Sequence, residues 1–393
     1  MAHKIIMLGG RRAGKSSILA VMLNALREMP GDLCTITDLT DYDVKVVDKN
    51  GIEHDKPTLR TKCLEIKSYL QKRTLIGTNT KFIVDMSLSE TAIRYSLQAS
   101  IGGTAKTTFE FIDVPGEWMR QNVPEHAELK KIIEESDVYI IAIDTPFLME
   151  ADEDVNSVYN RTIEISDAMG HMRTVSNGAK DKKMIIFVPV KCEKWMYAGK
   201  IDTVFEKMKL AYRSLINQWV ENPDVEMWCM PAITSGGIQF YKLLPGYKVF
   251  RTAEQKIGEK CSKDSITGTI YLPDGQTLSP KRIDRLETDM SQEIDHTFIP
   301  LSWYETNGKV FSPQFSEQPV YHLIRFLVKK EVDLANLKLN NLTAWQRFKQ
   351  FFGWNPPFGK NLPAFTNLIN TLSARGLIKE NGDGYHRITE TIE

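Results

Sequence analysis

The chain of 393 residues carries no excess of either charge, since 50 Lys and Arg balance 50 Asp and Glu. No global field therefore draws it to nucleic acid or to an anionic membrane, and any such partner needs a local patch. Cysteine is scarce. Cys34, Cys63, Cys192, Cys229 and Cys261 form no Cys-x-x-Cys pair, which argues against both a disulfide framework and a zinc site and for reduced thiols. The seven histidines lack a His-x-x-x-His spacing, so they imply no metal centre either. No apolar run approaches the ~20 residues of a membrane-spanning helix. Met-Ala-His-Lys leads straight into an apolar strand without a signal-peptide core. The expectation is a cytoplasmic protein. Internal repeats and low-complexity tracts are absent, and a composition of 42% apolar and 25% charged residues gives a globular class without a function.

Five short apolar runs are present, at 4–8, 109–114, 138–143, 184–190 and 225–233. Each is strand-length and almost continuously hydrophobic, as strands covered on both faces are. Helix-period segments at 16–29, 125–135, 157–175 and 201–220 lie between them. Alternation of this kind predicts an α/β fold in three layers around a mostly parallel sheet. Two stretches interrupt the order. Residues 30–90 hold more chain than the sheet needs, including a predicted helix at 59–73. They lead to a hairpin with strands near 92–99 and 107–114, turned at Gly102-Gly103. Residues 242–310 form a second insertion, with a strand pair expected around Pro273-Asp274-Gly275. The stripe Val320, Leu323, Ile324, Leu327 and Val328 marks a helix at 319–332 that returns to the sheet. The reading is one domain over 1–335 and a small α+β module over 336–393.

Chemistry enters at Gly9-Gly10-Arg11-Arg12-Ala13-Gly14-Lys15-Ser16, followed by Ser17. The run matches G-x-x-x-x-G-K-[ST], after an apolar strand and before a helical pattern, which is the context the motif requires. Its glycines let backbone N–H groups and the helix N-terminus point at phosphate oxygens. Lys15 then reaches the β and γ phosphates of a nucleoside triphosphate, and the Ser16 hydroxyl ligates Mg²⁺. A second element, Phe111-Ile112-Asp113-Val114-Pro115-Gly116-Glu117, ends an apolar strand in a carboxylate and then a glycine. Asp-x-x-Gly alone is common. About a hundred residues after the first loop, at the close of a hairpin, it places Asp113 on the Mg²⁺ shell and the Gly116 N–H on the γ-phosphate.

With these motifs the chain resembles the Ras-like, translation-factor-related P-loop GTPases. Asp113-Val114-Pro115-Gly116-Glu117-Trp118 is similar to the bacterial YcjX-like group of predicted GTPases. The resemblance covers roughly 1–145 and 180–240 plus the helix near 319–332, and it implies GTP, GDP and Mg²⁺ as ligands. It also implies an (Asn/Thr)-Lys-x-Asp motif on a later strand. Val190-Lys191-Cys192-Glu193 stands there. Lys191 would lie along the base plane and Glu193 would accept the N1 and N2 hydrogens of guanine, but Val190 supplies no amide. Guanine specificity therefore stays open against ATP or mixed use. Thr234-Ser235-Gly236 resembles the last family motif, whose backbone N–H meets guanine O6. By itself it is an ordinary Ser-Gly turn.

Two departures bear on mechanism. Glu117 stands where many small GTPases carry a water-orienting Gln; a carboxylate can orient water, yet it repels the γ-phosphate unless a cation stands nearby. Arg11 and Arg12 occupy loop positions that are small in many GTPases. An arginine in cis can stabilise the transition state by roughly 10³-fold or more; equally, either can be a solvated side chain or a partner contact. Lys15, Glu117, Arg11 and Arg12 are the candidate catalytic set. The switch threonine that completes the Mg²⁺ shell is Thr78, Thr80 or Thr91.

The module at 336–393 has seven basic and four acidic residues, and Trp345, Phe348, Phe351, Phe352 and Trp354 crowd its start. A helix at 362–377 and a hairpin turned at Asn381-Gly382-Asp383-Gly384 resemble the end of a winged-helix module. Recognition of nucleic acid is disfavoured, because only Arg375 lies on the helix. A peripheral membrane contact through 345–354 is one alternative. Docking on the chain's own domain or on another protein is the favoured one. The functions weighed are a GTP-hydrolysing switch read by a protein effector, a nucleotide-dependent scaffold with negligible hydrolysis, and a P-loop kinase. A homo-oligomer is compatible with each.

Overall fold

A computed structural model of the chain describes residues 2–41, 46–47, 53–54, 59–74, 81–83, 91–172, 182–249, 259–263, 270–271, 277–278, 294–340 and 360–392. Nine strands form the central sheet: β1 (His3–Leu8), β2 (Cys34–Asp38), β3 (Ile93–Ile101), β4 (Ala105–Asp113), β5 (Val138–Asp144), β6 (Lys183–Val190), β7 (Val225–Cys229), β8 (Asn381–Gly382) and β9 (Tyr385–Ile388). Their order is β8-β9-β7-β6-β5-β1-β4-β3-β2. The run from β4 through β1, β5 and β6 to β7 is parallel. The hairpin partner β3, the edge strand β2 and the pair β8 and β9 are antiparallel.

The continuous apolar runs are the strands covered on both faces, and β5 and β6 are buried at every position. Neighbouring residues of β1 point to opposite layers. Ile5 and Met7 meet helix α1 (Lys15–Arg27) and the helix Glu317–Asn340 on one side. Ile6 and Leu8 meet the helices His126–Glu135, Thr162–Met169, Ile201–Ala211 and Arg213–Trp219 on the other. The result is the three-layer α/β arrangement that the alternation predicts. At the foot of the sheet, His3 bonds Asp137 at 3.0 Å and Glu331 at 2.9 Å, and Lys330 bonds Asp137 at 2.6 Å. Burial alone pulls the His3 imidazole down, but the two carboxylates outweigh it and hold its pKa above the usual value.

The expected helix at 157–175 is instead two helices, Glu153–Asn160 and Thr162–Met169, and its end beyond residue 172 lies outside the described residues. Arg161 separates them with a left-handed φ of 56°. The break frees the Asn160 amide to accept from the Asp144 N–H at 2.7 Å and to donate to its carbonyl at 3.2 Å. The segment 201–220 likewise breaks at Tyr212, whose hydroxyl donates to the Asn160 carbonyl.

The two expected insertions meet in one further sheet. Strand Ile238–Val249 runs antiparallel to Ile294–Thr306, and the short strands Glu259–Lys263, Ile270–Tyr271 and Thr277–Leu278 extend it on one side. On the other side Lys81–Ile83, from the first insertion, pairs with Trp303, Tyr304 and Glu305 of the second. The turn expected at Pro273-Asp274-Gly275 lies outside the described residues, between strands that do pair.

The described part of the C-terminal segment sits on the chain's own sheet. Helix Leu362–Ala374 buries Phe365, Leu368 and Leu372 in the layer that holds α1. Strand β9 pairs with β7, and Gln318 bonds both the Leu377 carbonyl and the Lys379 N–H. The aromatic segment at 345–354 lies outside the described residues. Among the described residues, no helix is long and apolar enough to cross a membrane.

Candidate nucleotide site

The loop from Gly9 to Ser16 leaves the end of β1 and opens α1, which starts without a side-chain cap and without an acidic residue in its first turn. Its first N–H groups therefore remain available to an anion. Lys15 curls back over the loop, and its ammonium donates to the Gly9 and Gly10 carbonyls at 2.9 Å each. It is 8% exposed. Burial pulls its pKa down to about 8, against the opposing charges of Asp113 and Glu117. A buried ammonium satisfied only by loop carbonyls can exchange them for phosphate oxygens at the same place.

Strand β4 delivers Asp113 beside this loop, in register with Met7 of β1. The Ser16 hydroxyl donates to Asp113 Oδ2 at 2.8 Å, and Asp113 is 3% exposed. A hydroxyl and a buried carboxylate side by side are the hard oxygen donors that Mg²⁺ takes, so the residues present fit that ion. Just beyond, Gly116 approaches the loop backbone: a Cβ there would lie 2.6 Å from Arg11 N and 2.7 Å from Gly10 C. Gly10 is equally confined, because its Cβ would fall 1.8 Å from the Tyr159 carbonyl oxygen. The loop from Gly9 to Ser16 is thus clamped between the Asp-x-Pro-Gly turn and the end of helix Glu153–Asn160.

Glu117 does have cations beside it. Arg11 Nη1 lies 3.6 Å from one carboxylate oxygen and Arg120 Nε 3.3 Å from the other. Arg120 carries no motif and went unnoticed in the sequence. Of the candidate switch threonines, Thr91 precedes β3, while Thr78 and Thr80 lie outside the described residues.

The two later motifs, Val190-Lys191-Cys192-Glu193 and Thr234-Ser235-Gly236, come together at the ends of β6 and β7. Lys191, at a left-handed φ of 58°, donates to the Arg12 carbonyl at 2.8 Å and pairs with Asp144 at the end of β5. Burial raises the Asp144 pKa, with Lys191 opposing. Lys191 therefore ties the loop from Gly9 to Ser16 to the neighbouring strand, while Val190 packs its methyl against Gly14. Glu193 opens the short helix Glu193–Tyr197, 3% exposed, and burial pushes its pKa up to about 7. Its charge is supported by N–H groups, among them those of Ser235 and Gly236, so Glu193 and the Thr234-Ser235-Gly236 turn occupy one place. Thr234 and Ser235 are buried, and the Gly236 carbonyl accepts from Asn307 Nδ2 at 2.9 Å. Tyr304 of the second insertion sheet is buried alongside, with the Lys191 ammonium 5.9 Å from its ring centroid.

Asp144, Asn160 and Tyr304 were missed by reading motifs. Asp144 had a legible signal, a carboxylate ending a fully apolar strand, which is the same signal that marks Asp113. Asn160 and Tyr304 act only through the fold.

No family model matches this sequence, and no curated protein matches it. Solved structures do. The signal recognition particle receptor SRb-GTP/SRX complex from Chaetomium thermophilum matches over 57% of this chain and 83% of its own, at 12% identity and a TM-score of 0.30. The S. cerevisiae Ski7 GTPase-like domain bound to GTP matches over 79% of this chain and 71% of its own, at 11% identity and a TM-score of 0.29. The same domain bound to GDP and inorganic phosphate matches at 11% identity and a TM-score of 0.30. The conclusion that the fold itself carries is a mixed α/β protein with a large, mostly parallel central sheet and a glycine-rich loop at the carboxyl end of β1.

Proposed function

We propose that the protein is a Mg²⁺-dependent GTP-binding switch that hydrolyses GTP and acts through a protein partner. The observation that carries this reading is the 2.8 Å hydrogen bond between Ser16 and Asp113, which joins two motifs far apart in the chain at the place where a triphosphate's metal belongs. In this reading α1 and the loop N–H groups bind the β and γ phosphates, and the Lys15 ammonium neutralises their oxygens. Bound Mg²⁺ would supply charge neutralisation between the β and γ phosphates, held by Ser16 and Asp113. Glu117 orients the water that attacks the γ-phosphorus, the β–γ P–O bond breaks, and GDP and phosphate leave. Arg11 offsets the carboxylate's charge. Lys191, Glu193 and the Thr234-Ser235 turn receive guanine. The sequence Asp113 to Trp118 supports placing the chain with the bacterial YcjX-like group.

One observation favours a second reading, an ATP-using enzyme. Glu193 already has backbone N–H partners on the 235–236 turn, and Val190 supplies no amide to hold a guanine reader in place. Titrating the protein with fluorescent GTP and ATP analogues in Mg²⁺, with Lys15→Ala as control and phosphate release followed in parallel, separates the two. GTP-selective binding lost in Lys15→Ala supports the switch. Equal or ATP-preferring binding sinks the guanine assignment, and a phosphorylated acceptor in place of free phosphate sinks hydrolysis.

A further inference from the structure

Three charged groups at the mouth of the phosphate loop form one unit. Glu117 faces Arg11 with one carboxylate oxygen and Arg120 with the other. Arg11 belongs to the loop, whereas Arg120 closes the short helix Gly116–Met119. That helix is seated on the backbone of Gly10 and Arg11 through Gly116, so the unit cannot drift from the loop. It also stands close to the phosphate-side ammonium, because Lys15 feels the Glu117 charge. All three side chains are part-exposed, at 37% for Glu117 and 51% for each arginine. Ion pairs at that exposure are weak and easily exchanged. A terminal phosphate arriving over Lys15 repels the carboxylate and offers the Arg120 guanidinium a stronger, charge-assisted partner, leaving Arg11 to offset the Glu117 charge.

We propose that Glu117 is a latch: without a terminal phosphate it holds Arg120 aside, and Arg120, once released, grips that phosphate and sets the preference for triphosphate over diphosphate, while Arg11 stays with the carboxylate. Arg120 is then a specificity-determining residue from outside the recognised motifs. Neither Glu117 nor Arg120 reaches the base, so the preference is the same whichever purine is bound. The idea rests on the nucleotide reading of Lys15 and Ser16.

The test is a set of affinities for the tri- and diphosphates of guanosine and adenosine, using non-hydrolysable triphosphates in Mg²⁺ with the full chain. The variants are Lys15→Ala, Glu117→Gln, Arg120→Ala, and Glu117→Gln combined with Arg120→Ala or Arg120→Lys. Glu117→Gln is expected to tighten triphosphate binding roughly tenfold, the worth of one added charge-assisted hydrogen bond. A melting curve reports that the variant is folded, and diphosphate binding is expected to change less than triphosphate binding. Adding Arg120→Ala abolishes the gain, and Arg120→Lys restores part of it. An unchanged triphosphate-to-diphosphate ratio in Glu117→Gln, or a gain that survives Arg120→Ala, overturns the latch while Lys15-dependent binding stands. If the wild type binds no nucleotide and Lys15→Ala changes nothing, the nucleotide reading falls and takes the latch with it.

Discussion

Replacing the hydrogen at Gly116 by a methyl group would press it into the Arg11 amide and the Gly10 carbonyl carbon, both of them backbone. Gly116→Ala is expected to cost about 1–3 kcal/mol of stability, as overpacking does, and to weaken triphosphate binding beyond that loss. A melting curve alongside a titration decides it; unchanged affinity in the folded fraction would reduce the contact to packing. Two titrating groups set the pH profile of binding. Lys15 must carry its proton to meet phosphate and has a pKa of about 8 in the free protein. Affinity therefore falls by up to about tenfold per pH unit above 8 and is flat just below it. Glu193 must be ionised to accept guanine's hydrogens and titrates at about 7. Guanosine binding also weakens as pH falls through 7, whereas adenosine binding shows only the alkaline limb. Calorimetry from pH 6 to 9 reads both limbs, and Glu193→Gln removes the acid one. The stability signs are separate. Lys15 is depressed in the folded protein, so its contribution rises with pH between about 8 and 10.5; Glu193 is raised, so its contribution falls as pH rises from 4.5 to about 7. At this scale the loop from Gly9 to Ser16 and the turn from Asp113 to Gly116 were each legible as a short run of residues after an apolar strand, and the fold brings the two together. Arg120 was not, since only the seating of one short helix on the loop brings it to Glu117.

Among the elements, the strands were the most readable. Both faces of β1, β5 and β6 are covered, so burial forces an unbroken apolar run, whereas the alternation of β3 reflects one buried face. The helix break at Arg161 was invisible, because arginine is a good helix former and nothing local in the sequence marks the left-handed residue that accompanies the Asn160–Asp144 bonds. The sheet shared by the two insertions was hidden for another reason. Its pairing between Lys81–Ile83 and Trp303–Glu305 joins segments with no common local signal. The helix Leu362–Ala374 supplies a test at this level. Leu372 is fully buried against the layer that contains α1. Leu372→Ala is expected to lower stability by about 2–5 kcal/mol while leaving a single unfolding transition. A separate low-temperature transition, with the main one unmoved, would mean that this segment melts apart from the sheet.

For the molecule as a whole, the layer architecture followed from alternation alone, but the closing of the sheet did not. Strand β9 reads Tyr-His-Arg-Ile, which resembles an exposed hairpin arm, and only its antiparallel seat on Met227, Trp228 and Cys229 makes it part of the sheet. A chain ending at residue 380 would leave β7 as a bare edge rich in buried apolar side chains, an invitation to pairing between copies. Size-exclusion chromatography of that chain is expected to show self-association; a monomer with an unshifted melting point would show that the edge is protected by something else. The same seat also has a consequence in time. Asn217 exchanges hydrogen bonds with Ile392 across 175 residues of sequence. At a synthesis rate of about 5–20 residues per second, β7 leaves the ribosome on the order of ten seconds or more before its partner exists. During that interval the nascent chain carries an open seam, and the cover that Trp228 gains before β9 arrives comes from His322 and Arg325 of the helix Glu317–Asn340.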